Sequence, residues 1–320
     1  MNNLDSLPYL PPVSQIEETD ELPEGAVEIK IEEKRHYSVS LTYRIPYCMH
    51  EGTTLYMDIY RPVPFDGGLP TESGDEASVP VYPLIVFVQG SGWLKQDIGA
   101  NIAQHIYMCQ KGYVVAVPEY RPSDVCPFPG HMEDIKTAVR FMKKHAAEYK
   151  CDPEKVAIWG CSSGGHVALM TGITGDEEEC GSEYSEYSCE VQAIVDWYGP
   201  TDILHMACWP SAMDHNDPAS PEGLMLGGVY IPDHPDLARK ADPIQYLRAD
   251  KKTPPILIMH GGFDEKVPFH QSVQLYEKLK ELGKSAKMYK LTGAGHGPGG
   301  FRSDEACDIV DDFIKEALGI

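Results

Sequence analysis

The sequence is short of cations. It has 27 Lys and Arg against 49 Asp and Glu, a formal net charge of -22 over 320 residues. Such a surface repels nucleic acid and anionic membranes, so neither is expected as a partner. No apolar run approaches the ~20 residues that a spanning helix needs. The first residues, Met1-Asn-Asn-Leu-Asp-Ser-Leu-Pro8, carry neither a basic nor an apolar segment and do not form a signal peptide, so the cytoplasm is the expected compartment. No Cys-x-x-Cys pair occurs among the nine cysteines, which removes zinc-ribbon and thioredoxin-type readings. The cysteines read as thiols in a reducing compartment, although Cys180 and Cys189 are close enough to pair in an exported chain. Cys109, His105 and His131 lack metal-ligand spacing, and neither metal nor cofactor is expected. No internal repeat is visible.

Residues 1–25, rich in Pro, Glu and Asp, read as an acidic tail or arm. Val27–Glu32, Tyr37–Ile45 and Thr54–Pro62 alternate apolar and polar residues, as half-exposed antiparallel strands at a sheet edge do. A Pro- and Gly-rich loop, 63–80, follows. Continuous apolar runs then recur at Pro83–Val88, Tyr113–Val117, Val156–Trp159, Ala193–Val195 and Ile256–Met259. Between them lie helical faces such as Met132, Ile135, Val139 and Met142. Buried strands alternating with helices predict an α/β fold with a mainly parallel, doubly wound sheet, one domain over 26–320. Two stretches break the alternation: an acidic loop at Gly175–Ser188, and an irregular insertion at about 202–252. The insertion carries Met206, Trp209, Met213, Met225 and Tyr230, which either line a pocket as a cap or bury the insertion against the body.

One stretch carries the chemistry. Val156–Trp159 runs into Gly160-Cys-Ser162-Ser-Gly164 and then into a helical segment, the setting of a nucleophile elbow. The glycines leave room where a strained strand-to-helix turn crowds its neighbours. An open parallel sheet puts its site beyond the strand C-termini, so partners should also follow strands. Asp264 follows Ile256–Met259, and His296 follows Lys287–Leu291. The order Ser162, Asp264, His296 is that of α/β-hydrolases. Ser162 is the expected nucleophile, His296 its base and Asp264 the group that orients the imidazole. Glu265, adjacent to Asp264, and Asp196 and Asp202, after the preceding strand, are alternative acids. Cys161 is an alternative nucleophile, but it occupies the first x of the motif and should point aside. The glycine loop Gln89-Gly-Ser-Gly-Trp93 ends the strongest apolar strand and suits an oxyanion hole. It contains no Gly-Lys-Ser/Thr, which argues against a phosphate loop. The literal Gly-x-Gly-x-x-Gly at 295–300 lies too near the C-terminus to open a βαβ unit.

On Gln89–Trp93, Glu119-Tyr-Arg121, Trp159–His166, Asp196–Asp202, Ser220-Pro-Glu222, Gly261–Asp264 and Gly293–Gly297, the chain resembles the α/β-hydrolase esterases of the hormone-sensitive-lipase-like and carbohydrate-esterase group. The likeness is greatest to bacterial feruloyl and acetyl-xylan esterases. The resemblance runs from about Tyr37 to the C-terminus. It implies a cofactor-free serine esterase acting on a small-molecule ester, with backbone N–H groups of Ser91 or Gly92 and of Ser163 in the oxyanion hole. Trp93 and Trp209 are candidate pocket residues. Three positions depart from the group: Gln89 and Ser91 replace the usual His and Gly, and Ser163 replaces the usual Ala. A serine peptidase of the prolyl-oligopeptidase type and a catalytically silent ligand receptor are the alternatives.

Overall fold

The computed structural model describes residues 37–50, 52–64, 80–178 and 181–320, together with Pro23. The chain divides into two units, Met1–Lys34 and Arg35–Ile320, and the second carries the fold below. The expected N-terminal arm and the strand at Val27–Glu32 lie outside the described residues, as do residues 65–79 and Cys180.

The strands are β1 (Tyr37–His50), β2 (Thr53–Pro64), β3 (Tyr82–Val88), β4 (Val114–Pro118), β5 (Cys151–Cys161), β6 (Ala193–Trp197), β7 (Ile256–Gly261) and β8 (Ala286–Leu291). They form one eight-stranded sheet in the order β1-β2-β4-β3-β5-β6-β7-β8. The β1–β2 and β2–β4 pairs are antiparallel, and every other pair is parallel. The helices are α1 (Ile102–Gln110), α2 (Gly130–Lys144), α3 (Ala146–Tyr149), α4 (Ser163–Thr174), α5 (Pro221–Met225), α6 (Pro235–Lys240), α7 (His270–Glu281), α8 (Pro298–Phe301) and α9 (Asp304–Leu318).

The continuous apolar runs are explained by a sheet buried on both faces. Leu84, Val86 and Val88 pack with Ile135 and Val139 of α2, Val167 of α4 and Leu275 of α7. Their neighbours Ile85 and Phe87 point the other way, to Met108 of α1 and to Val310 and Phe313 of α9. Period-two alternation within an all-apolar strand thus feeds two cores. Because β3 to β8 run in parallel, their C-terminal ends share one edge of the sheet. The loops opening at Gln89, Ser162, Tyr198, Gly262 and Thr292 therefore converge there.

The insertion contains α5, α6 and three single-turn 3₁₀ segments. Met206, Met225 and Ile231 are fully buried, whereas Trp209 and Tyr230 are exposed. It is fastened inward where His166 of α4 donates from Nε2 to the Ala241 carbonyl at 2.7 Å. No described helix is long and apolar enough to cross a membrane.

Candidate active site

The turn from β5 into α4 is built on close contact. A Cβ on Gly160 would stand 2.0 Å from the Gly164 carbonyl oxygen, and one on Gly164 would stand 2.1 Å from the Val88 carbonyl oxygen. Only glycine lets the strand, the helix and β3 approach so closely. The crowding holds Ser162 at φ 56, ψ -130, outside the comfortable regions for a side chain. Such strain costs on the order of 1–3 kcal/mol and persists only where its surroundings impose it. Here it lifts the hydroxyl out of the sheet edge and into a cavity.

Ser162 Oγ lies 2.9 Å from His296 Nε2. His296 Nδ1 lies 2.9 and 3.0 Å from the two oxygens of Asp264. The Asp264 carboxylate is fully buried and also accepts the backbone N–H groups of Lys266 and Val267, each at 2.9 Å, on Oδ1. Burial alone would raise its pKa. Hydrogen bonds from His260 and His296 outweigh that and hold it well below the usual carboxylate range. An acceptor-only carboxylate at Nδ1 keeps the imidazole proton there and leaves Nε2 free to accept from Ser162.

The alternative groups are engaged elsewhere. Asp202 binds His205. Asp196 is buried and pushed up to about 8 by desolvation, against a hydrogen bond from Gly199 N–H. Burial also pushes the Cys161 thiol up, which disfavours the thiolate that a cysteine nucleophile needs. Away from the cavity, Cys48, His50 and Asp134 offer donor atoms within 4.8 Å of one another, but Arg121 already binds both oxygens of Asp134.

The expected oxyanion loop does line the cavity, with one change to its donors. Ser91 N–H is already spent: it donates to Ser163 Oγ at 2.8 Å, so it is not the free donor expected of it. The Ser163 hydroxyl, which stands where the resembled group usually has alanine, is the cause. Gly92 N–H and Ser163 N–H make no hydrogen bond to any described residue. Gly92 has φ +65, which places its amide in a turn that a side chain rarely adopts. Gln89 accepts from Asn101 at 2.6 Å, and the Tyr120 hydroxyl bonds the Gln89 carbonyl and Ser91 Oγ, each at 3.1 Å.

The two tryptophans part company. Trp93 is buried in the cavity wall, and its Nε1–H donates to His166 Nδ1 at 3.1 Å. Trp209 stacks on His270, ring centroids 3.5 Å apart, and is not among the residues lining the cavity. The insertion lends the wall Met213, His215, Pro221 and Glu222 instead. The cavity measures about 570 Å³, a size suited to a small organic ligand.

Three contributors escaped the sequence reading. His260 is fully buried and bonds Asp264 Oδ2 at 3.1 Å, the Val267 carbonyl at 3.0 Å and Ser272 Oγ at 2.7 Å. The two acceptors put its proton on Nε2, so it steadies the Asp264 carboxylate. Its place at the end of β7, four residues before Asp264, was the available signal. Tyr198, at φ 45, sets its ring 4.8 Å from that of His296. Glu222 with His215 is the third: Ser220-Pro-Glu222 is among the segments that carry the resemblance but had no role, and irregular chain between the two gave no period to read.

A mainly parallel sheet with a serine elbow and Asp and His on later strand ends defines the α/β-hydrolase fold. The chain belongs to the BD-FAE family, whose model matches residues 72–279. It is 29% identical over 226 residues to the esterase LipC of Mycobacterium tuberculosis, an alignment covering 67% of this chain and 53% of LipC. The chain spans about half the length of the curated relatives it matches. Among solved structures it resembles a truncated carbohydrate esterase from gut microbiota, with 28% identity and TM-score 0.75 over 91% of this chain and 100% of that one. An esterase from Thermogutta terrifontis shares the fold, at 24% identity and TM-score 0.66 over 88% and 94% of the two chains.

Proposed function

We propose that the protein is a serine carboxylic-ester hydrolase that works through an acyl-Ser162 intermediate on small acetylated or aryl-acylated carbohydrate esters. The observation that carries the reading is the hydrogen-bonded line from Ser162 through His296 to Asp264 at the floor of the cavity. Ser162 Oγ attacks the ester carbonyl while His296 Nε2 takes its proton. Asp264 steadies the imidazolium. The oxyanion forms beside Gly92 N–H and Ser163 N–H, and each such donor is worth ~3–4 kcal/mol in the transition state. As the intermediate collapses, His296 returns the proton to the leaving alcohol. A water then repeats the sequence and frees the acid. The carbohydrate half of the reading draws on the likeness to the gut carbohydrate esterase and on a wall furnished with Gln89, Asn101, His215, Glu222, Lys266 and Arg302.

A fluorophosphonate probe, with turnover of short p-nitrophenyl esters, tests the mechanism in wild type and Ser162→Ala. Wild type is expected to label and turn over, and the variant to do neither. Labelling that persists in Ser162→Ala overturns the nucleophile. An unlabelled, inactive wild type favours a silent receptor, and amide cleavage faster than ester cleavage favours a peptidase.

A further inference from the structure

Glu222 is the only acidic residue among the described residues that line the cavity, and it is 3% exposed. Its Oε2 lies 3.1 Å from His215 Nδ1, at an angle too poor for a hydrogen bond, and it has no other partner among the described residues. The pair is held firmly from behind. His215 Nε2 is 2.8 Å from Ser211 Oγ, and Ser220 Oγ accepts Gly223 N–H at 2.9 Å while donating to the His215 carbonyl. The pair also sits beside the oxyanion loop, since a Cβ on Gly92 would come 3.4 Å from Pro221 Cβ.

A buried carboxylate without a hydrogen-bond donor is costly, and native chains seldom tolerate one without a use. A carboxylate only accepts, so what it lacks is an O–H or N–H supplied from the cavity. Resting on the ester-hydrolase reading above, we propose that Glu222 determines specificity for the alcohol half of the ester by accepting a hydrogen bond from a free hydroxyl on that alcohol. A polyhydroxylated ring satisfies it. An alcohol without a second hydroxyl leaves the carboxylate dry and unpaired, so the site both selects the first and penalises the second.

The test compares two esters with the same acyl group and similar rings: a methyl β-xyloside carrying one acetyl group, and cyclohexyl acetate. The quantity read is the ratio of their kcat/KM values, in wild type, Glu222→Gln and Glu222→Leu. A hydrogen bond to a charged group predicts that Glu222→Leu lowers the ratio roughly 10- to 100-fold, through KM more than kcat, with Glu222→Gln between it and wild type. Should Glu222→Leu fail to fold, Glu222→Gln and the inhibition constant of methyl β-xyloside against cyclohexyl acetate carry the test. The constant is expected to rise in Glu222→Gln. A ratio that stays the same, whether both rates hold or fall in parallel, overturns the proposal and leaves Glu222 a structural residue. A wild type that cleaves neither ester overturns the ester-hydrolase reading, and this one with it.

Discussion

Asp264→Asn perturbs the proposed chemistry with little change of shape, and the surroundings dictate how the amide sits. Oδ1 accepts two backbone N–H groups, from Lys266 and Val267, so the amide oxygen must take that place. The amide NH2 then occupies the Oδ2 position, 2.9 Å from His296 Nδ1 and 3.1 Å from His260 Nε2. Two donors now face each other at His296, and again at His260, whose Nε2 proton keeps the Val267 carbonyl as its acceptor. The His296 imidazole relieves the clash by moving its proton to Nε2, the atom that must accept from Ser162. Where an acid of this kind has been replaced by its amide in a serine protease, kcat fell ~10⁴-fold, equivalent to ~5 kcal/mol of barrier. A loss of roughly 10³- to 10⁴-fold is expected here in kcat for p-nitrophenyl acetate. KM should change little, because Asp264 does not line the cavity. Urea unfolding of the variant checks that the fold survives. A folded Asp264→Asn protein that keeps more than about a tenth of wild-type kcat would refute the assigned role.

Gly160→Ala drives a methyl group to 2.0 Å from the Gly164 carbonyl oxygen, so a loss of ~3 kcal/mol or more is expected in urea unfolding, and near-wild-type stability would contradict the packing of the elbow. Asp196, held at about 8 by burial, keeps its proton in the folded chain over a range where the unfolded chain, near 3.9, has released it. Its contribution to stability therefore falls as pH rises from about 4 to about 8 and is level above that. Asp196→Asn has no such proton to release, and its melting temperature should drop less than that of wild type between pH 5 and pH 8; an equal drop counts against a protonated Asp196. Trp209→Ala should leave kcat/KM for p-nitrophenyl acetate within about twofold, and a large fall would mean that Trp209 reaches the substrate after all.

The sheet was legible because burial on both faces leaves an unmistakable trace: Leu84–Val88 and Ile256–Met259 carry no polar residue at all. Ser162, Asp264 and His296 were legible because each follows such a strand, and the structure brings the three within hydrogen-bonding reach. What stayed hidden depends on distances that spacing does not encode. Ser163 was expected to matter more for its N–H than for its hydroxyl, yet the hydroxyl takes the Ser91 N–H from a loop 72 residues earlier. Trp209 and Met213 are equally apolar and only four residues apart, and the irregular chain between them turns one outward and the other into the cavity. Without helical or strand periodicity there is no rule from which to read that choice.

The imidazole of His166 joins two parts of the site wall that the chain builds separately. Trp93 holds it from the oxyanion loop, and it holds Ala241 of the insertion in turn. Burial pushes the ring down to about 4, so it stays neutral and keeps one donor and one acceptor in fixed places across the working pH range. The two walls thus share a single crossbeam that neither bulk water nor ordinary changes of pH can loosen. On the proposed ester-hydrolase reading, an incoming ester would meet a ready-made slot along this side, and little of its binding energy would go into ordering the walls. Mutations around Ala241, remote in sequence from the glycine loop, would be felt there as a tilt of Trp93.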